Sequence, residues 1–157
     1  MLLNSAPRAN LSNHPGVVTA LAALPPATDP SWPFAAAAVG ESVSAVLSDP
    51  VVLRDAADRC FALAQRHGCD AVSGASPNGE ALAIATMVTH SLPRFIEGTP
   101  ASCVLVLDGV LATGVSLHLA AERLVTVGAG AVRLAVLVDL GETGHSVNGN
   151  PVDEIGV

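Results

Sequence analysis

Apolar runs of two kinds alternate along this chain, and their spacing predicts the element order. Cys103 to Leu107 is a short, continuous, Val-rich run that ends at one acid, Asp108, and is followed by Gly109-Val110-Leu111-Ala112-Thr113-Gly114-Val115-Ser116. A run of that length reads as a buried strand, whereas the segment from Leu117 onward carries its apolar residues at helical spacing. The pattern predicts a strand over Ser102–Leu107, a helix over Val115–Val127 stopped by Gly128, and a strand over Arg133–Val138. Upstream, Val52, Leu53, Ala56, Ala57, Cys60, Phe61 and Leu63 make one apolar face. They predict a helix over Val51–His67 with Gly68 as its C-cap. Cys69–Ser73 then reads as a strand and Gly79–His90 as a helix. Before these, Pro15, Pro25, Pro26 and Pro30 surround the apolar segment Val17–Leu24, read as one helix entered at Asn13 or Pro15. Trp32–Ala45, with its Ala run, is expected to form a short strand or hairpin leading to Val46.

Strands alternating with helices across short links imply an α/β fold, a parallel sheet with helices on both faces, because parallel strands need crossover connections. Ligands of such sheets bind beyond the carboxyl ends of the strands, near a reversal of strand order. The loops Gly74–Gly79 and Asp108–Ser116 both fall at carboxyl ends, so one cleft is expected between them. The organisation expected is an N-terminal segment over residues 1–45 that acts as a hood or arm, an α/β core over 46–144 and a C-terminal tail over 145–157.

Composition narrows the function. The chain has 157 residues, 50% of them apolar, enough for a real core. Its 3 cysteines, Cys60, Cys69 and Cys103, lack metal-ligand spacing and are odd in number, which points to packing in a reducing compartment. The net charge is -7, and every cationic side chain is an arginine: Arg8, Arg54, Arg59, Arg66, Arg94, Arg123 and Arg133. An acidic chain without a basic cluster is not expected to bind nucleic acid. No apolar run is long enough to span a membrane, and no signal-peptide pattern is present, so a cytoplasmic protein with no membrane partner is expected. His67, His90, His118 and His145 show no paired metal spacing, and His118 alone falls near the glycine-bearing turn.

That turn is the main candidate for chemistry. Backbone N–H groups at Thr113 to Leu117 would point outward from a helix N-terminus, where the unpaired donors and the helix dipole favour an anion. The hydroxyls of Thr113 and Ser116 add donors. With its strand, its acid and its Thr-Gly-x-Ser turn, the segment resembles the phosphoribosyl-diphosphate (PRPP) motif of type I phosphoribosyltransferases. Leu47-Ser48-Asp49-Pro50, Asp70-Ala71-Val72-Ser73-Gly74, Ile96-Glu97-Gly98 and Ala135-Val136-Leu137-Val138-Asp139 resemble the orotate branch of that family, in the same order. The resemblance implies that Ala112, Thr113, Gly114, Val115 and Ser116 hold a ribose 5-phosphate. It implies that Gly74, Ala75, Ser76, Pro77, Asn78 and Gly79 form a diphosphate loop, in which Asn78 would donate and Glu80 would repel. Asp108 would accept ribose hydroxyl protons or bind hydrated Mg2+, the cofactor the family implies; as an isolated acid it also reads as a cap for the turn. A homodimer is implied as well.

The departures from the family concern catalysis. Gly109 stands where a second acid is expected, and Ala112 where many members carry Thr or a catalytic Asp. The link from His90 to Ile96 holds only Arg94 in place of a basic mobile loop. Leu140 replaces the Arg that reads the orotate carboxylate, and Ser42 and Ser44 lie where that branch has a ligand-touching segment with a basic residue. Two functions follow. One is transfer of phosphoribosyl to an acceptor other than orotate; the alternative is a non-catalytic PRPP- or nucleotide-binding regulator or complex subunit. A third possibility keeps the fold alone.

Overall fold

The computed structural model describes residues 11–155; Arg8 and the ends of both terminal segments lie outside them. Helix α1 spans Pro15–Ala22, α2 Trp32–Leu47 and α3 Pro50–His67. Strand β1 is Ala71–Gly74, α4 Pro77–His90, β2 Val104–Leu111, α5 Val115–Thr126 and β3 Val132–Asp139; a hairpin of β4, Ser146–Val147, and β5, Asn150–Glu154, follows. Local chemistry accounts for several boundaries. The Asp49 carboxylate accepts the Val51 N–H at 2.9 Å, Pro50 opens α3, and Gly68 closes it at a φ of 68°.

The sheet order is β1-β2-β3-β5-β4, parallel through β5, with β4 antiparallel at the end. Side chains alternate along the central strands. Leu105, Leu107, Ala135 and Leu137 pack toward α2, α3 and α4. Val104, Val106, Leu134 and Val136 pack toward α5 on the other face. The expected two-faced α/β sheet is therefore present. On the outer side of β1, the Phe95 N–H donates to Val72 O at 2.8 Å and the Val72 N–H to Pro93 O at 3.0 Å. The chain thus leaves β1, runs through α4 to this outer flank, and returns to β2 on the inner flank. Such a reversal favours a crevice at the carboxyl end of β1.

Three expectations are corrected. Trp32–Ala45 is neither strand nor hairpin but most of α2: Pro33 sits in the first turn, where its missing N–H costs nothing, and Ala36, Val39, Val43 and Val46 recur at helical spacing and are buried. Residues 146–154 of the expected tail extend the sheet instead. Asn148 and Gly149, both at positive φ (50° and 81°), make the tight turn that lets β5 pair beside β3. Val147, Val152 and Ile155 are buried there. Strand β2 also continues past Leu107 to Leu111, so Asp108 sits within the strand.

Candidate functional site

A crevice lies between the end of β1 and α5, and of the two glycine-bearing loops only Gly74, Ala75 and Ser116 line it. A cleft of ≈ 460 Å³ is bordered by Ser73, Gly74 and Ala75 at the end of β1 and by Ser116 at the start of α5; Phe95, Leu119 and Leu124 supply apolar lining. Glu80, Arg94, Glu97 and Arg123 are its charged side chains.

The two helix N-termini beside this crevice differ. At α5, Gly114 is the N-cap residue at a φ of 82°, and no side chain caps the helix. Thr113 Oγ1 accepts the Val115 N–H only at 3.5 Å. Thr113, Val115 and Ser116 are exposed, whereas Ala112 and Gly114 are half-buried. The first turn of α5 therefore offers unpaired N–H donors and two hydroxyls to solvent.

At α4 a side chain caps the helix and Pro77 brings no N–H to the first turn. Ser76 is the N-cap, and its Oγ accepts the Gly79 N–H at 3.1 Å while donating to Asp108 Oδ1 at 2.5 Å. The loop packs tightly: a Cβ on Gly74 would lie 2.6 Å from Glu80 Cα, and one on Gly79 would strike the Leu107 carbonyl. These glycines let helix and strand backbones approach closely. Pro77 occupies the first turn of α4, and Asn78 Nδ2 donates to Gly40 O of α2 at 3.3 Å, away from the cleft. Glu80 forms an ion pair with Arg94.

Asp108 is 7% exposed. Burial pushes its carboxyl above the ordinary range, opposed by hydrogen bonds from Ser76 and from the Gly109 and Val110 N–H groups. The Gly109 N–H reaches Oδ1 at 2.7 Å, so that oxygen accepts two internal donors. Among the described residues no three His, Cys, Asp or Glu side chains converge on a possible metal site. Mg2+ is commonly held by one or two carboxylates together with water and substrate phosphates, and here Asp108 Oδ1 is already engaged by Ser76 and Gly109. The position of the missing second acid is filled, because a Cβ at Gly109 would lie 2.7 Å from Asn78 Cβ.

Other candidates fall elsewhere. Ser42 Oγ donates to Ala38 O within α2. His118 sits 3.5 Å from Glu122 on its own helix. Leu140 packs at the margin of the α2–α4 core, and its N–H donates to Leu111 O. The Glu80–Arg94 pair escaped the sequence, since no periodicity links a first-turn glutamate to an arginine beyond the end of the same helix.

The mixed α/β architecture, with a mostly parallel five-stranded sheet covered by helices on both faces, is consistent with a type I phosphoribosyltransferase-like fold. Among solved structures, the chain is similar to the UMP synthase of Leishmania donovani, with a TM-score of 0.61 and 19% identity over 71% of this chain. The match spans 28% of that chain, and identity at this level shows the fold alone. No protein-family model matches the sequence, and no curated protein matches it.

Proposed function

We propose that the chain binds a phosphoribosyl ligand, with the 5-phosphate at the first turn of α5. The observation that carries this reading is the uncapped α5 N-terminus: exposed Thr113 and Ser116 hydroxyls beside free N–H donors at the carboxyl end of β2. Such a terminus favours an anion through both its dipole and its donors. The ribose would extend toward the crevice that Ser116 shares with Gly74 and Ala75. The likeness of the sequence motifs to the orotate branch supports a nucleotide-type ligand, whereas Leu140 supplies no cation for a carboxylated base.

Binding without group transfer is the form the residues favour. Transfer from PRPP requires charge stabilisation on a departing diphosphate. Here Asp108 is engaged internally, Asn78 fills the space over Gly109, and Arg94 is held by Glu80. The reading assigns no Mg2+ held by the protein's own carboxylates. A transferase acting on an acceptor other than orotate is the second reading; the retained cleft of ≈ 460 Å³ favours it, since it leaves room for a second substrate.

Titration calorimetry with ribose 5-phosphate tests the binding. Heat at submillimolar ligand that Ser116→Ala weakens is expected; no heat at millimolar ligand ends the proposal. A screen of PRPP with purine and pyrimidine bases, followed by diphosphate release, separates the two readings.

A further inference from the structure

We propose that Glu80 determines which anions this cleft accepts: by holding Arg94 it turns away ligands that carry a second phosphate group next to β1. The inference rests on the preceding reading for the cleft as a ligand site, and adds the charge that the ligand carries.

The cleft contains two cationic side chains, Arg94 and Arg123, and each faces a glutamate. Arg123 lies 3.7 Å from Glu97, with 77% and 66% of the two side chains exposed, so water screens that pair and leaves Arg123 weakly committed. Arg94 and Glu80 are more enclosed, at 43% and 35%, and are joined directly. Arg94 is also fixed in place by its flanking backbone, since Pro93 O and the Phe95 N–H both bond to Val72. Glu80 is fixed by the first turn of α4, whose N-terminal position suits a carboxylate. The pair therefore joins two well-anchored segments in the lining of the crevice.

A phosphomonoester at Thr113–Ser116 needs neither of these side chains. A second phosphate group on the β1 side meets a different surface. On its α4 side Gly74 packs against the backbone of Glu80, where a Cβ would lie 2.6 Å from Glu80 Cα, so the loop offers no side chain of its own there. The Ser76 hydroxyl is shared between Gly79 and Asp108 and has no donor left over. Of the cleft's two arginines, Arg94 is the one whose flanking backbone bonds to β1, and reaching it requires displacing a carboxylate of the same sign as the incoming group. Like charges in a partly enclosed cleft discriminate strongly between ligands. The ligand class this selects is the phosphate monoester, as in ribose 5-phosphate or a nucleoside monophosphate, rather than a diphosphate.

Inorganic pyrophosphate is the probe, titrated by calorimetry in Mg2+-free buffer at low salt against the full chain. The wild type is expected to bind pyrophosphate no more tightly than orthophosphate. Glu80→Gln, which keeps shape and removes charge, is expected to bind pyrophosphate about tenfold more tightly, the worth of one charge-assisted hydrogen bond. Adding Arg94→Gln to that variant should cancel the gain. In the wild-type background Arg94→Gln should change pyrophosphate affinity less than about twofold, the scale of a partly exposed pair that is already committed. This last measurement needs no folded Glu80 variant. The proposal is overturned if folded Glu80→Gln gains nothing, or if Arg94→Gln alone abolishes pyrophosphate binding. Ribose 5-phosphate titrated into the wild type reports on the cleft's function separately: its failure to bind, beside a pyrophosphate gain in Glu80→Gln, removes the phosphoribosyl reading and leaves the role of Glu80 standing.

Discussion

Asn78 covers Gly109 so closely that a Cβ at position 109 would lie 2.7 Å from Asn78 Cβ and 2.9 Å from Asn78 Nδ2. The absent second acid and the Asn in the α4 turn are therefore one feature. Asn78 is held in turn by Gly40 of α2, to which its Nδ2 donates, so the first turn of α4 is tied to the N-terminal helices.

Gly109→Asp is accordingly expected to destabilise the fold by about 1–3 kcal/mol through overpacking. Asn78→Gly in the same chain should recover part of that loss, as read from urea denaturation. An additive pair of penalties would show that the two positions do not compete for space.

Asp108 gives the fold a pH dependence of definite sign. Its carboxyl is raised above the ordinary value of 3.8, chiefly by burial. A raised folded-state value means that the native state holds the proton more tightly than the unfolded chain does, so stability falls as pH rises through the window just above 3.8. Asp108→Asn keeps an acceptor for Ser76 and Gly109 and removes this titration. The wild type should therefore gain stability relative to Asp108→Asn between pH 7 and pH 4, measured by urea denaturation at both. A difference that grows in favour of the variant on acidification would contradict the burial argument.

The cysteines are expected to be inert while the chain is folded. Burial pushes the Cys60 thiol up to about 12, and burial with the neighbouring Cys103 thiol pushes Cys69 up to about 12 as well. The thiolate is the reactive form. A chromogenic disulfide reagent at pH 8 should therefore leave Cys60 and Cys69 unmodified in the native chain and modify all 3 cysteines after unfolding. Rapid native labelling of Cys60 would show that its site opens to solvent.

Binding and stability should separate at the α5 turn. Thr113→Ala and Ser116→Ala remove exposed hydroxyls and are expected to shift stability by less than about 0.5 kcal/mol. Each should weaken ribose 5-phosphate binding by roughly tenfold, the lower end of the worth of one hydrogen bond to a charged group. Gly114→Val should do both, because its φ of 82° strains a branched residue and a Cβ there would lie 2.9 Å from Val147 Cγ2. Thermal melts beside calorimetry distinguish the two behaviours. A Ser116→Ala chain with unchanged affinity would place the phosphate elsewhere.

What the sequence determined was local. Val-rich runs at Val104–Leu107 and Leu134–Val138, the Asp49-Pro50 start and Gly68 stop of α3, and the turn before α5 each carry their signal within a few residues, and the strand and helix assignments follow from spacing. The parallel sheet then follows from their alternation. The tertiary structure decided how distant segments share space. Trp32–Leu47 is a helix because its apolar face has α1, α3 and the sheet to pack against. Residues 150–154 form a strand because β3 leaves an edge to pair with. The candidate site divides the same way. Its α5 turn is legible because one short segment supplies all of it. Its β1 side is not, since Ser76 meets Asp108, Asn78 meets Gly109 and Glu80 meets Arg94 only after α4 is laid against the sheet. Hydrogen bonds, ion pairs and steric exclusion act over a few ångströms, and no pattern along the chain records which residues folding will bring that close.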